Sequence, residues 1–123
     1  MTDIQVTDHF KLSKCRCSHC HKLIFDDLFM SHMDKLELLR LEADFPVVIS
    51  SGYRCKEHNK AVGGSLHSWH MKYATDIRPE DNEEHNLTVI YRIALEQEWG
   101  GIGVYGSWVH LDMRTTPVRW NKK

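Results

Sequence analysis

Gly63-Gly64-Ser65-Leu66-His67-Ser68-Trp69-His70-Met71-Lys72-Tyr73-Ala74-Thr75-Asp76-Ile77 is the stretch on which this chain turns, with an echo in Trp108-Val109-His110-Leu111-Asp112-Met113. The first opens on a permissive Gly-Gly pair and repeats Ser-x-His as Ser65-Leu66-His67 and Ser68-Trp69-His70. It then runs into Ala74-Thr75-Asp76-Ile77, a short strand closed by Pro79. In the second, Val109, Leu111 and Met113 alternate with Trp108, His110 and Asp112, so a strand there has one apolar face and one carrying His110 and Asp112 together. Two imidazoles and a carboxylate from separated segments are a donor set for catalytic zinc, which takes three protein ligands and a water in a tetrahedron. The candidate ligands are His70, Asp76 and His110.

Outward from this stretch the elements follow by period. From Asp26 to about Ala43, the residues Leu28, Phe29, Met33, Leu36, Leu39 and Ala43 recur at helical spacing. Asp26 or Asp27 serves as N-cap and Pro46 closes the segment. Pro46-Val47-Val48-Ile49-Ser50-Ser51-Gly52-Tyr53-Arg54 reads as a β-branched strand entering a polar turn, which leaves Arg54 near a strand end, where side chains commonly line a site. Residues 55–64 read as a short helical connection stopped by Gly63-Gly64. Asp81 and Glu84 resemble a capping box. The helix they open has an apolar face of Leu87, Ile90, Tyr91, Ala94 and Leu95 and ends at Gly100-Gly101. Ile102-Gly103-Val104-Tyr105 and Trp108 to Met113 flank Gly106-Ser107 as a hairpin. The order predicts an α+β fold, a small and mostly antiparallel sheet packed with helices on one side. Its 123 residues fit one domain, 1–123, with an irregular Cys-rich opening over 1–24.

Composition excludes more than it assigns. Charged residues are 27% and hydrophobic ones 41%, ordinary for a globular chain. A net charge of -1 with no basic stripe argues against nucleic acid as a partner. No run approaches the ~20 apolar residues of a membrane span. Met1-Thr2-Asp3-Ile4-Gln5 lacks the basic and apolar regions of a secretory leader, so synthesis in the cytoplasm is expected, and the chain is expected to be a monomer. Cys15-Arg16-Cys17-Ser18-His19-Cys20-His21 is dense in potential ligands, and in a reducing compartment such cysteines are thiols or metal ligands more often than disulfides. A second, structural zinc on Cys15, Cys17, Cys20 and Cys55 is one reading, with His19, His21 or His58 competing for the fourth place. Reduced, partly buried thiols are the other.

Several blocks in order carry a resemblance. They are Ser51-Gly52-Tyr53-Arg54, then Asn59-Lys60-Ala61-Val62-Gly63-Gly64, then Ser68-x-His70 and Ala74-x-Asp76-Ile77. Gly101-Ile102-Gly103-x-Tyr105, Val109-His110-Leu111-Asp112 and Arg119-Trp120 follow. From about residue 10 to 120 the chain resembles the zinc D-alanyl-D-alanine carboxypeptidase family, which includes phage endolysins and bacterial peptidoglycan peptidases and shares its fold with the hedgehog signalling domain. The resemblance implies zinc on His70, Asp76 and His110, with Arg54 holding a substrate carboxylate and Ser68 near the substrate or the ligands. It implies hydrolysis of amide bonds in peptidoglycan stem peptides, by a carboxypeptidase or an endolysin-type endopeptidase that reaches the cell wall once released. The alternative is a non-catalytic zinc domain of the same fold that binds a cell-wall or protein partner.

Two departures stand out. The family's His-x6-Asp spacing is here His70-x5-Asp76 without its glycine, and His67 instead gives x8, a worse fit. Many relatives carry an acid three residues before the last zinc His, where this chain has Ser107. Asp112 is then the candidate catalytic base, or else a hydrogen-bond acceptor that orients a ligand.

Overall fold

The computed structural model describes residues 3–122. In chain order the elements are β1 (Gln5–Thr7), β2 (Phe10–Lys11), α1 (Asp27–Ala43), β3 (Val47–Ser51), α2 (Lys56–Ala61), β4 (Ala74–Pro79), α3 (Glu84–Glu96), β5 (Gly101–Val104), β6 (Val109–Asp112) and β7 (Val118–Asn121). Single 3-10 turns at Leu12–Lys14 and Trp69–Met71 complete it. β3-β4-β6-β5-β7 form one sheet in which every pairing is antiparallel except β5 with β7. The α+β class and the mostly antiparallel sheet agree with the sequence. The hairpin β1-β2 and the strand β7 do not appear in that reading; of the opening expected over 1–24, residues 1 and 2 lie outside the described residues, and the rest includes β1 and β2.

Helices α1 and α3 bury their apolar stripes against one face of the sheet. Met33, Leu36 and Leu39 of α1 and Leu87, Ile90, Ile93 and Ala94 of α3 meet Ile77, Ile102, Val109 and Leu111 in one core. Leu28 and Leu95, assigned to those faces from spacing, are exposed instead. Trp99 and His32 take core positions that periodicity did not flag.

The ends differ in instructive ways. Asp26 is the N-cap of α1 and accepts from the Phe29 N–H at 3.0 Å. Asp81 sits ahead of the true N-cap of α3, Glu83, whose N–H it receives at 3.0 Å. The expected Gly100-Gly101 stop is performed by Glu98, in the left-handed region at φ 59, after a helix ending at Glu96. The glycines instead serve close approach, since a Cβ on Gly100 would lie 1.8 Å from the Arg114 carbonyl oxygen. Among the described residues no helix is long and apolar enough to cross a membrane.

Candidate metal centre

Register decides what faces the helices and what faces outward. Asp76 of β4 pairs with His110 of β6, which pairs with Gly103 of β5, itself opposite Trp120 of β7. Paired residues share a face, so these four lie side by side on the sheet surface away from α1 and α3. Asp112 and Gly101 form the next row of that face. A Cβ on Gly101 would fall 2.2 Å from the Asp112 carboxylate, and one on Gly103 2.3 Å from the Trp120 indole. The Gly-x-Gly of β5 is the bare strip on which the carboxylate and the indole rest.

His70 arrives from the loop before β4, on the 3-10 turn Trp69–Met71. Ser68 caps that turn, its hydroxyl accepting from the His70 N–H at 3.2 Å. The His70 carbonyl in turn accepts from the Arg54 N–H at 2.7 Å, tying the turn to the exit of β3. His70 Nδ1 lies 2.8 Å from the Gly52 carbonyl oxygen, which can only accept. Nδ1 therefore carries the proton, and a neutral ring presents the Nε2 lone pair to the site.

The same accounting applies to His110. Its Nε2 is 2.7 Å from Asp112 Oδ2, so that nitrogen donates and Nδ1 presents the lone pair. Nε2 of His70 and Nδ1 of His110 lie 3.0 and 3.1 Å from Asp76 Oδ1 and 3.2 Å from each other. Two imidazole lone pairs and a carboxylate oxygen thus converge, all three residues being buried. Only extra protons or a cation at their centre reconcile them. Zinc bonds of about 2.0–2.1 Å make tetrahedral edges of about 3.3–3.4 Å, close to these separations. The donor set fits zinc.

The electrostatics agree. Burial would raise the Asp76 carboxyl, yet hydrogen bonds and charge from His110 and His70 hold it well below the usual carboxylate range. Burial opposes charge on His110, but its hydrogen bonds to Asp112 and Asp76 raise it above an ordinary imidazole.

Asp112 lies behind His110 rather than in the cleft. It is fully buried and holds the Arg114 guanidinium, with Nε at 2.9 Å from Oδ1 and Nη2 at 2.6 Å from Oδ2. It also accepts the Arg114 backbone N–H at 3.1 Å. Burial would raise its carboxyl, but the hydrogen bonds from His110 and Arg114 bring it to about 2. A carboxylate so saturated orients a ligand well and takes up protons poorly.

The convergence point forms the floor of a cleft of about 650 Å³. Ser68, His67 and Arg54 line it, and Arg54 Nη2 lies 3.7 Å from Asp76 Oδ2. Tyr105 and Trp108 stack at 4.7 Å on the far wall, and Trp120 Nε1 donates to the Tyr105 hydroxyl at 2.9 Å. Arg114 spans from Trp120 to Trp69, its guanidinium 5.2 and 5.8 Å from their rings. Among the described residues Asp76 is the only acid in this lining, against Arg54, Arg114 and Lys122. The sequence did not point to this aromatic wall, because its members come from three separate segments. Ser107 sits in the β5–β6 turn, outside the lining.

The cysteines separate into two sets. Cys17, Cys20 and Cys55 bring their sulfurs together, whereas Cys15 does not join them. The Cys15 thiol points into the core, donating to the Lys11 carbonyl at 3.5 Å and touching Met33 Sδ at 3.8 Å. Burial pushes it up to about 12. The four-cysteine set is corrected accordingly.

A small α+β sheet whose open face carries two histidines and an aspartate at a cleft floor is the architecture of a metal-dependent hydrolase. A family model described as Peptidase M15 matches residues 8–112, and the chain belongs to that family of zinc-dependent peptidases. No curated protein matches the chain.

Proposed function

We propose that this peptidase is a zinc enzyme that cleaves amide bonds in peptidoglycan stem peptides. The observation that carries the reading is the convergence of His70 Nε2, Asp76 Oδ1 and His110 Nδ1, their tautomers fixed from behind by Gly52 and Asp112. Zinc held there supplies Lewis-acid activation of water and of the scissile carbonyl. Arg54 binds the free carboxylate of the stem peptide through a planar, permanently charged fork. The cationic lining supports a substrate rich in carboxylates, and the aromatic wall supports contact with its apolar methyl groups. Asp112 holds His110, and His67 on the cleft lining is the imidazole left to move a proton between water and leaving amine. The enzyme acts as a monomer at the cell wall after release from the cell that made it, in the manner of a phage endolysin or a virion-associated lysin.

Zinc content and digestion of purified peptidoglycan, measured for the wild type and His110→Ala, test the reading. Loss of one zinc ion per chain together with loss of cleavage supports it, and mass spectra of the released fragments assign the scissile bond. Zinc bound at His110 with intact peptidoglycan after prolonged digestion overturns the cell-wall substrate and leaves the partner-binding alternative.

A further inference from the structure

We propose that Cys17, Cys20 and Cys55, with His19 as the fourth ligand, form a structural zinc site separate from the catalytic centre. The three sulfurs lie within 4.8 Å of one another, and His19, outside that group, has its Nδ1 3.4 Å from Cys55 Sγ, so its ring has to turn inward to complete the set. Zinc–sulfur bonds of about 2.3 Å place thiolates about 3.8 Å apart around a tetrahedron, a size this cluster reaches with small movements. A disulfide uses two sulfurs and strands the third, whereas a Cys3His set uses all three sulfurs and an imidazole that already contacts one of them.

Backbone donors surround two of the sulfurs. Cys17 Sγ accepts backbone N–H groups of His19 and Cys55, and Cys55 Sγ accepts that of His58, each at 3.4 Å. Such bonds fix ligating sulfurs and offset their charge. The Cys17-to-Cys20 turn is closed on itself by His21 N–H to Cys17 O and Cys17 N–H to Lys22 O, both 2.8 Å, with His21 in the left-handed region. His58 stacks on His19 at 6.2 Å and contacts the Ser18 hydroxyl, a ring that supports the ligand instead of competing with it.

The site joins what chain order keeps apart. Cys17 and Cys20 belong to the N-terminal loop, while Cys55 is the N-cap of α2 and follows Arg54 directly. The same two segments are already in backbone contact, Tyr53 N–H to Cys15 O at 2.8 Å. A zinc ion here clamps the loop to the exit of β3 and so fixes the base of Arg54 in the cleft. The donor set of three thiolates and an imidazole selects zinc over harder cations.

Metal analysis of the purified holoprotein tests this independently of any activity. Two zinc ions per chain are expected in the wild type, one in His110→Ala and one in Cys20→Ser. Cobalt(II) loaded into His110→Ala should give the intense near-ultraviolet thiolate-to-metal band, and Cys20→Ser should lack it. Because Cys20→Ser could fail to fold, the wild type is also alkylated with and without a chelator. Cys20 and Cys55, both half-buried, should react at least about tenfold more slowly in the zinc-loaded protein. A single zinc that vanishes entirely with His110→Ala, equal alkylation rates in both states, or a mass showing a disulfide overturns the proposal.

Discussion

At the scale of single residues, Asp112 and Arg54 divide the work that the sequence left between them. Asp112 touches His110 and Arg114 and no cleft surface, so Asp112→Asn should weaken zinc binding about 10–100-fold, as loss of a ligand's supporting carboxylate does. Competition against a chelator measures it, and with zinc in excess most of kcat should return. A kcat that stays about 10²-fold or more down at saturating zinc would make Asp112 the proton carrier. Replacing the carrier proposed above, as in His67→Gln, should lower kcat by about 10²-fold with zinc content unchanged, and an unchanged kcat removes His67 from that role. Arg54→Ala should raise KM by the equivalent of about 1.5–3 kcal/mol and barely change kcat, since a charged hydrogen bond to a remote carboxylate is lost. Arg54→Lys should recover only part, and an unchanged KM in either variant removes Arg54 from substrate binding. The grouping of His70, Asp76 and His110 was legible from residue type and order. The role of Asp112 was not, because alternation puts it on the right face of the strand but cannot say whether that face opens to solvent there.

At the scale of elements, β5 shows a strand whose sequence encodes an absence of side chains. Gly101 reads as part of a helix stop and Gly103 as an ordinary strand position, yet each is a seat for a group from a neighbouring strand. Gly103→Ala should cost about 1–3 kcal/mol in urea unfolding, the price of forcing a methyl against the Trp120 indole. Trp120→Ala should relieve most of that cost, and a coupling energy near zero in the double-mutant cycle would place the clash elsewhere. The same reasoning shows what element-level reading misses. β1 and β2 are three and two residues long, too short for alternation to register, and β7 is mostly exposed, so it carries no apolar face to read. Asp44 and Glu98 occupy left-handed positions after α1 and α3, so the glycine rule for helix ends placed the second boundary late.

At the scale of the whole molecule, the helix–sheet interface holds a titratable group that links folding to acidity. His32 of α1 is 2% exposed, packs edge-on to Trp99 at 4.9 Å and meets the Thr75 hydroxyl at 3.0 Å, on the core side of the strand that carries Asp76. The α+β architecture was legible from the order of periods, but a histidine in its centre was not, since one polar residue on an apolar stripe looks the same whether it is buried or snorkels out. Burial lowers His32 from 6.5 to about 3, with the Asp112 charge opposing and falling short. The folded protein therefore keeps the ring neutral where the unfolded chain protonates it. Above pH 6.5 the two states match and His32 contributes no pH dependence. As pH falls from 6.5 towards 3 the unfolded state gains a proton that the folded state refuses, so stability declines by up to about 1.4 kcal/mol per pH unit, or about 2 kcal/mol by pH 5. His32→Leu should lose stability at pH 7.5 by orphaning the Thr75 hydroxyl, yet shed this acid-side slope. Urea midpoints for both proteins at pH 7.5 and pH 5 give the answer as a difference of differences, in which proton uptake by the zinc ligands cancels because both proteins share it. Equal pH dependence in the two would mean that His32 is not held neutral in the core, and that the acid sensitivity of the fold resides on the metal face of the sheet.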